Sequence, residues 1–237
     1  MLEVKQISKS IKDKKILTQI NLKVDEGEIY GLLGPNGAGK TTTFYIIAGL
    51  VKSEKGKIYL LDKDISNLPM HKRSKLGIKY LPQEPSVFQG LTVYENLIGL
   101  AELSFKNKKD IKEFIEISIE EFGLSEILNL KGRQLSGGQR RKVEIARTLA
   151  AKPKLILMDE PFAGIDPIAI EDIKNVLKKL AIKNIGVLIT DHNVRETLEI
   201  CNQAAIINNG KIIANGNKDE LIKNELVKKV YLGNMYK

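Results

Sequence analysis

Apolar and polar residues alternate along LEVKQIS (2–8) and again along QINLKV (19–24), which predicts two strands of an antiparallel edge, each with one face in a core. Asp25-Glu26-Gly27 reads as a turn, and the alternation then gives way to the apolar run EIYGLLG (28–34), the pattern of a buried strand. Helical spacing follows from about Lys40 to Leu50, then a strand led by Gly56 (KIYLL), then LGIKYLPQ, a strand that Pro82 ends. From about Glu84 to Ala151 the period is almost wholly helical, carried by TVYENLIGLAEL, DIKEFIEISIEEF and GGQRRKVEIARTLAA. Strand and helix then alternate again through KLILMDE, a helix after Pro167, IGVLITD, a helix containing NVRETLEI, and two short strands, AAIIN and KIIANG. The final KDELIKNELVKKVYLGNMYK reads as one or two short amphipathic helices.

The pattern predicts an α/β fold with a mostly parallel sheet, an antiparallel β edge and an inserted α-helical subdomain. Residues 1–83 and 152–216 form the core, 84–151 the helical lobe and 217–237 a C-terminal helical tail, together one domain. The 237 residues, 43% of them hydrophobic, suffice for a buried core. No apolar run approaches the roughly 18 residues that span a bilayer, and the start lacks a signal peptide's apolar stretch, so a cytoplasmic protein is expected. Cys201 is the single cysteine, which excludes an internal disulfide and a cysteine-built zinc site. The net charge of +9 would suit nucleic acid or an anionic membrane face, but the lysines are scattered and decide nothing. Arginine is scarce, yet Arg133, Arg140, Arg141 and Arg147 crowd around one glycine turn, where planar multi-donor groups are useful.

Chemistry concentrates at strand ends. Gly34, Pro35, Asn36, Gly37, Ala38, Gly39, Lys40 and Thr41, with Thr42 next, fit the G-x-x-x-x-G-K-[ST] phosphate loop and lie between a predicted strand and a predicted helix. Backbone amides and the helix N-terminus would wrap a β-phosphate, Lys40 would bridge β and γ, and Thr41 would ligate magnesium. Asp159 ends an apolar strand, where a carboxylate can serve the metal, and Glu160 beside it is placed to polarise an attacking water. Gln83 and His192 also follow predicted strands and are candidates for the catalytic set, Gln83 for the magnesium shell as well; His71, in PMHKRSK, reads as structural. LSGGQ, made of Leu135, Ser136, Gly137, Gly138 and Gln139, is a second glycine turn opening a helix, hence a second anion receptor.

Taken together, the phosphate loop, Gln83, LSGGQ, LILMDE, AGID ending at Asp166 and His192 resemble, in order and spacing, the nucleotide-binding subunits of ABC transporters. The resemblance implies ATP and Mg2+ as cofactors and a homodimer packed head to tail, in which LSGGQ and the Asp166 loop of one copy meet the ATP of the other. GLLGPNGAGKTTTFYIIAGL, YLPQEPSVFQGLTVYENL, DEPFAGIDPIAIEDIK, VLITDHNVRETLEICNQAAII and VKKVYLG are similar to the lipopolysaccharide-export branch of that family. That similarity implies two such subunits on the cytoplasmic face of the inner membrane, bound to two transmembrane permeases of the LptF and LptG kind, with Phe88 and Tyr94 in the groove that receives them and no nucleic acid partner. Ordinary packing inside the helical lobe explains Phe88 and Tyr94 equally well from sequence. Near residue 11 the family usually carries an aromatic that stacks on adenine, whereas this chain has Ile11. Branched-chain amino-acid importers share the same ATPase pattern, and a soluble ABC ATPase acting on nucleic acid shares the motifs, so the cargo stays open at this level.

Overall fold

The computed structural model describes residues 1–233; the last four residues of the expected tail, 234–237, lie outside the described residues. Strands β1 (Leu2–Ile11) and β2 (Lys14–Val24) pair antiparallel, and β3 (Ile29–Leu33) leads into the phosphate loop and helix α1 (Lys40–Ala48). A hairpin of β4 (Lys55–Leu60) and β5 (Lys63–Asp64) follows, then α2 (Met70–Lys75) and β6 (Ile78–Leu81). The helical segment contributes α3 (Val93–Ser104), α4 (Lys108–Phe122) and α5 (Gly137–Leu149). The chain then runs through β7 (Leu155–Asp159), α6 (Pro167–Ile182), β8 (Gly186–Thr190), α7 (Val194–Ile200), β9 (Gln203–Asn208) and β10 (Lys211–Gly216). Two short helices, α8 (Lys218–Lys223) and α9 (Glu225–Val227), end in one π turn over Lys228–Leu232.

Six strands form one sheet in the order β10-β9-β3-β8-β7-β6, parallel except for β10 on β9. The antiparallel part is a sheet of its own, β2-β1-β4-β5, and the KIYLL segment belongs to it. Helix α1 explains why the layers separate. Its Phe44, Ile46, Ile47 and Ala48 are all buried, sharing one core with Leu2, Val4 and Ile58 of the antiparallel sheet and with Leu32, Leu157 and Leu188 of the parallel one. A helix apolar on nearly every side is stable only between layers. The opposite face of the parallel sheet packs on the helical lobe and α6, through Ile156, Met158 and Ile189 against Leu97, Val143, Ile173 and Leu177. Successive residues of β7 therefore enter different cores, and so the strand reads as an unbroken apolar run.

Helix α2 escapes the apolar pattern because a buried cation holds it. Arg73 donates to the carbonyls of Ile46 (2.7 Å) and Ile47 (2.8 Å) at the C-terminal end of α1 and to those of Leu68 (2.8 Å) and Ser66 (2.9 Å). Burial pushes its guanidinium pKa down to about 10, so it is still charged at neutral pH. The helices of the lobe start at side-chain caps: Thr92 and Glu95 form a reciprocal capping box on α3, and Asn107 caps α4. Among the described residues no helix is long and apolar enough to cross a membrane.

Candidate functional site

The phosphate loop is shaped by glycines with different tasks. A Cβ at Gly34 would sit 2.0 Å from the Ile207 carbonyl oxygen, and one at Gly39 (φ 112°) would sit 2.5 Å from Leu17 Cδ2. These two let the backbone pass through the core. At Gly37 (φ 75°) a Cβ would meet nothing within 4 Å, so that residue faces open space. Gly39 caps α1 without a side chain, and α1 starts with no acidic residue in its first turn, which leaves its amides available for an anion. Lys40 lies across the loop, donating to the carbonyls of Gly34 (2.7 Å) and Pro35 (3.1 Å). Burial lowers its pKa, and the charges of Glu160 and Asp159 oppose that shift. The cleft above the loop encloses about 340 Å³ and is lined by Asn36 to Thr42, Glu160, His192 and the hairpin residues Ile11, Lys14 and Ile16. Ile11 is thus on the cleft, half of it exposed.

Asp159 is buried at the end of β7, beside the cleft. Burial raises its pKa, opposed by a hydrogen bond from Tyr80 and by the positive charges of Lys40 and Arg141. The chain leaves the strand sharply at Glu160 (φ 47°), whose amide donates to the Thr190 carbonyl at 2.7 Å. That bend brings three expected residues together: Glu160 Oε1 lies 2.6 Å from His192 Nε2, and Glu160 Oε2 accepts from Gln83 Nε2 at 2.7 Å. Gln83 therefore meets the Glu160 carboxylate, and Asp159 takes its hydrogen bond from Tyr80 instead. Sequence reasoning passed over Asp191, although it stands beside His192 in LITDH. Its buried carboxylate accepts from the amides of Phe162 and Asn193, each at 2.8 Å, and so ties together the loops that carry Glu160 and His192.

The second glycine turn lies elsewhere. Ser136 caps α5 by accepting from the Gln139 amide at 3.2 Å, and the Gln139 side chain accepts from the Ser136 amide at 3.0 Å. Leu135 anchors the turn in the core, while Ser136 is exposed. A Cβ on Gly137 would lie 2.9 Å from the Gly164 carbonyl oxygen, and one on Gly138 would lie 2.5 Å from Ala169 Cβ. The turn therefore rests directly on the loop that ends at Asp166, which caps α6 through the Ala169 amide at 2.9 Å. None of Leu135 to Gln139 lines the cleft over the phosphate loop.

Two of the crowded arginines are buried and join the lobe to the core. Arg141 donates to the carbonyls of Pro82 (3.1 Å) and Asp159 (3.2 Å) and pairs with Glu144 at 3.0 Å. Arg147 donates to the carbonyl and hydroxyl oxygens of Ser86 and stands 5.3 Å from the Phe88 ring centre. The Asn96 side chain accepts from the Phe88 amide at 2.8 Å and donates to its carbonyl at 3.1 Å. Phe88 is thereby held with 53% of its surface exposed, and Tyr94 is 44% exposed, so each keeps about half of its surface toward solvent.

The donor set fits magnesium delivered with a nucleotide. Among the described residues no group of three His, Cys, Asp or Glu is placed to hold a metal alone. A hydroxyl at Thr41, a carboxylate at Asp159 and the Gln83 amide are what a hard cation takes when phosphate oxygens and waters supply its other ligands.

A sequence model of the ABC transporter family matches residues 17–163. The chain is 52% identical to the lipopolysaccharide export system ATP-binding protein LptB of Haemophilus influenzae, over 100% of this chain and 99% of that protein. Its fold matches the ADP conformation of MJ1267, an ATP-binding cassette of an ABC transporter, with a TM-score of 0.87 and 31% identity over 98% of each chain. It also matches the dimeric, post-hydrolysis ATP-binding cassette MJ0796 bound to ADP and Pi, with a TM-score of 0.79 and 26% identity over 92% of this chain and 99% of that one. The chain belongs to the ABC transporter family, as one of its ATP-binding, ATP-hydrolysing subunits.

Proposed function

We propose that this chain is the ATPase motor of a lipopolysaccharide exporter, acting as a homodimer on the cytoplasmic face of the inner membrane. The observation that carries the reading is likeness along the whole length to an LptB protein. The exposed Phe88 and Tyr94 give such a motor a docking groove for transmembrane partners of the LptF and LptG kind. Gly34 to Thr42 and the free amides of α1 bind the phosphates of ATP, and Lys40 leaves its loop carbonyls to bridge β and γ. Thr41, Asp159 and Gln83 would hold Mg2+, which would supply neutralisation of the phosphate charge. Glu160, aligned by His192 and Gln83, accepts a proton from the attacking water, while His192 stays within reach of the γ-phosphate. Ser136, Gly137 and Gly138, with Asp166 beneath them, close over the ATP of the other copy. Hydrolysis then removes the anion that joins the copies and lets them part.

Purification of the tagged chain from detergent-solubilised membranes, with mass spectrometry of what accompanies it, tests this function. Two different permeases of the exporter kind are expected. Recovery with amino-acid importer permeases, or free of membrane proteins, overturns it.

The Ile11 position has a measurable consequence. Stacking a base on an aromatic is worth about 1–3 kcal/mol, and an aliphatic side chain recovers part of that by apolar burial at about 25 cal/mol per Å². Ile11→Tyr is expected to tighten ATP binding several-fold and to leave turnover at saturating ATP unchanged, because contacts to the base act equally in ground and transition states. Titration with an ATP analogue labelled on the ribose reads the change. Equal or weaker binding by the variant places adenine away from Ile11.

A further inference from the structure

The Asp159 carboxylate has one hydrogen-bond donor among the described residues, the Tyr80 hydroxyl, 3.2 Å from Oδ2. The contact follows from the register of the sheet. β6 and β7 are parallel with Tyr80 opposite Leu157, and Leu157 and Asp159 are two residues apart on one strand. Tyr80 and Asp159 therefore project from the same face of the sheet on neighbouring strands, within reach of a long side chain. That face is the one that packs on α1.

The tyrosine is itself fixed. Its ring meets Tyr45 of α1 edge to face, with centroids 6.1 Å apart and planes at 87°. Tyr45 lies four residues after Thr41, hence on the same side of the helix. One phenol thus connects the strand end that carries Asp159 to the helix that carries Lys40 and Thr41. Asp159 Oδ1 has no hydrogen-bond partner among the described residues, and Lys40 is close enough for its charge to act on the carboxylate. A buried carboxylate held at one oxygen and open at the other has a single orientation in which to meet a cation.

We propose that Tyr80 is a positioning residue for the magnesium-binding carboxylate: its hydroxyl holds Asp159 Oδ2 against α1 and leaves Oδ1 for the metal shell. This rests on the assignment of Asp159 to magnesium made above. Hydrogen-bond partners of a metal-ligating side chain commonly matter by about 10–100-fold in metal affinity. Tyr80 acts on a carboxylate that reaches the metal together with phosphate oxygens, so the low end of that range applies.

Tyr80→Phe keeps the ring and its packing on Tyr45 and removes only the hydroxyl. With the full chain and a ribose-labelled ATP analogue, the Mg2+ concentration at half-maximal binding is expected to rise about tenfold. Binding of the same analogue in EDTA is expected to stay within about twofold, as is kcat at saturating Mg2+ and ATP. Asp159→Asn run alongside separates the inference from its premise. An altered Mg2+ requirement in Asp159→Asn but not in Tyr80→Phe overturns the role of Tyr80 alone. An unaltered requirement in both overturns the assignment of Asp159 and, with it, the inference. Equal weakening of metal-free and metal-loaded binding in Tyr80→Phe also overturns it, since the phenol then shapes the phosphate loop and not the carboxylate.

Discussion

Glu160→Gln retains ATP binding and loses hydrolysis by about 100- to 10,000-fold, the range that a positioned general base contributes. The substitution is nearly isosteric, and its amide oxygen can still accept from Gln83 Nε2, which donates to Glu160 Oε2 at 2.7 Å. The sharp backbone bend at position 160 and the hydrogen bond of its amide to Thr190 are untouched by a side-chain change. What is removed is the capacity to take a proton from water and the carboxylate oxygen that faces His192 Nε2, while Asp159, a separate residue at the strand end, keeps its own carboxylate. Phosphate release at saturating ATP measures the loss, and size exclusion with ATP should show the variant accumulating as a dimer. Hydrolysis within a few-fold of the unaltered protein would take Glu160 out of the catalytic role.

Two inactive variants, Lys40→Ala and Ser136→Arg, regain activity when mixed. The expectation rests on the proposed head-to-tail dimer: Leu135 to Gln139 do not line the chain's own phosphate cleft, and in that dimer each LSGGQ turn meets the nucleotide of the other copy. A mixed dimer pairs the intact loop of one chain with the intact turn of the other at one site, and the two defects fall together at the second. Random exchange in an equal mixture makes half the dimers mixed, so about a quarter of the activity returns if sites in a two-fold dimer work independently. Native mass spectrometry confirms exchange and phosphate release reads activity. Exchange without recovery, and without cross-linking between a cysteine at Ser136 and one in the partner's phosphate loop, overturns the head-to-tail arrangement.

The layered core and the phosphate loop are readable in the chain because both rest on local, periodic signals. LILM (155–158) is apolar at every position since its residues enter two cores alternately, and GPNGAGKT places its glycines where the backbone turns or needs room. The convergence of Gln83, Glu160 and His192 was legible from their places at strand ends. Other features depended on contacts between residues far apart in sequence. MHKRSK carries no apolar repeat, and α2 exists because Arg73 reaches carbonyls at Ile46 and Ile47. The strand containing KIYLL has nothing in its own pattern to say which sheet it joins; its pairing with β1 decides that. Tyr80 is one residue within the predicted strand LGIKYLPQ, and only the register of β6 on β7 sets its hydroxyl on Asp159. Asp191 was hidden by the histidine beside it, and its role appears only when the amides of Phe162 and Asn193 are seen to meet its carboxylate.

Helix α1 has a consequence for how the protein fails under heat. Its apolar residues form the filling between two sheets, so its amides open to solvent only when the layers come apart. The phosphate-binding end of the molecule starts on that same helix, one residue after Gly39. Local fraying, which begins in exposed segments such as α4, leaves the nucleotide cradle in place. A chain warmed toward its melting point therefore keeps its affinity for ATP until the whole fold gives way, and bound nucleotide raises that temperature by mass action on the folded state as a unit.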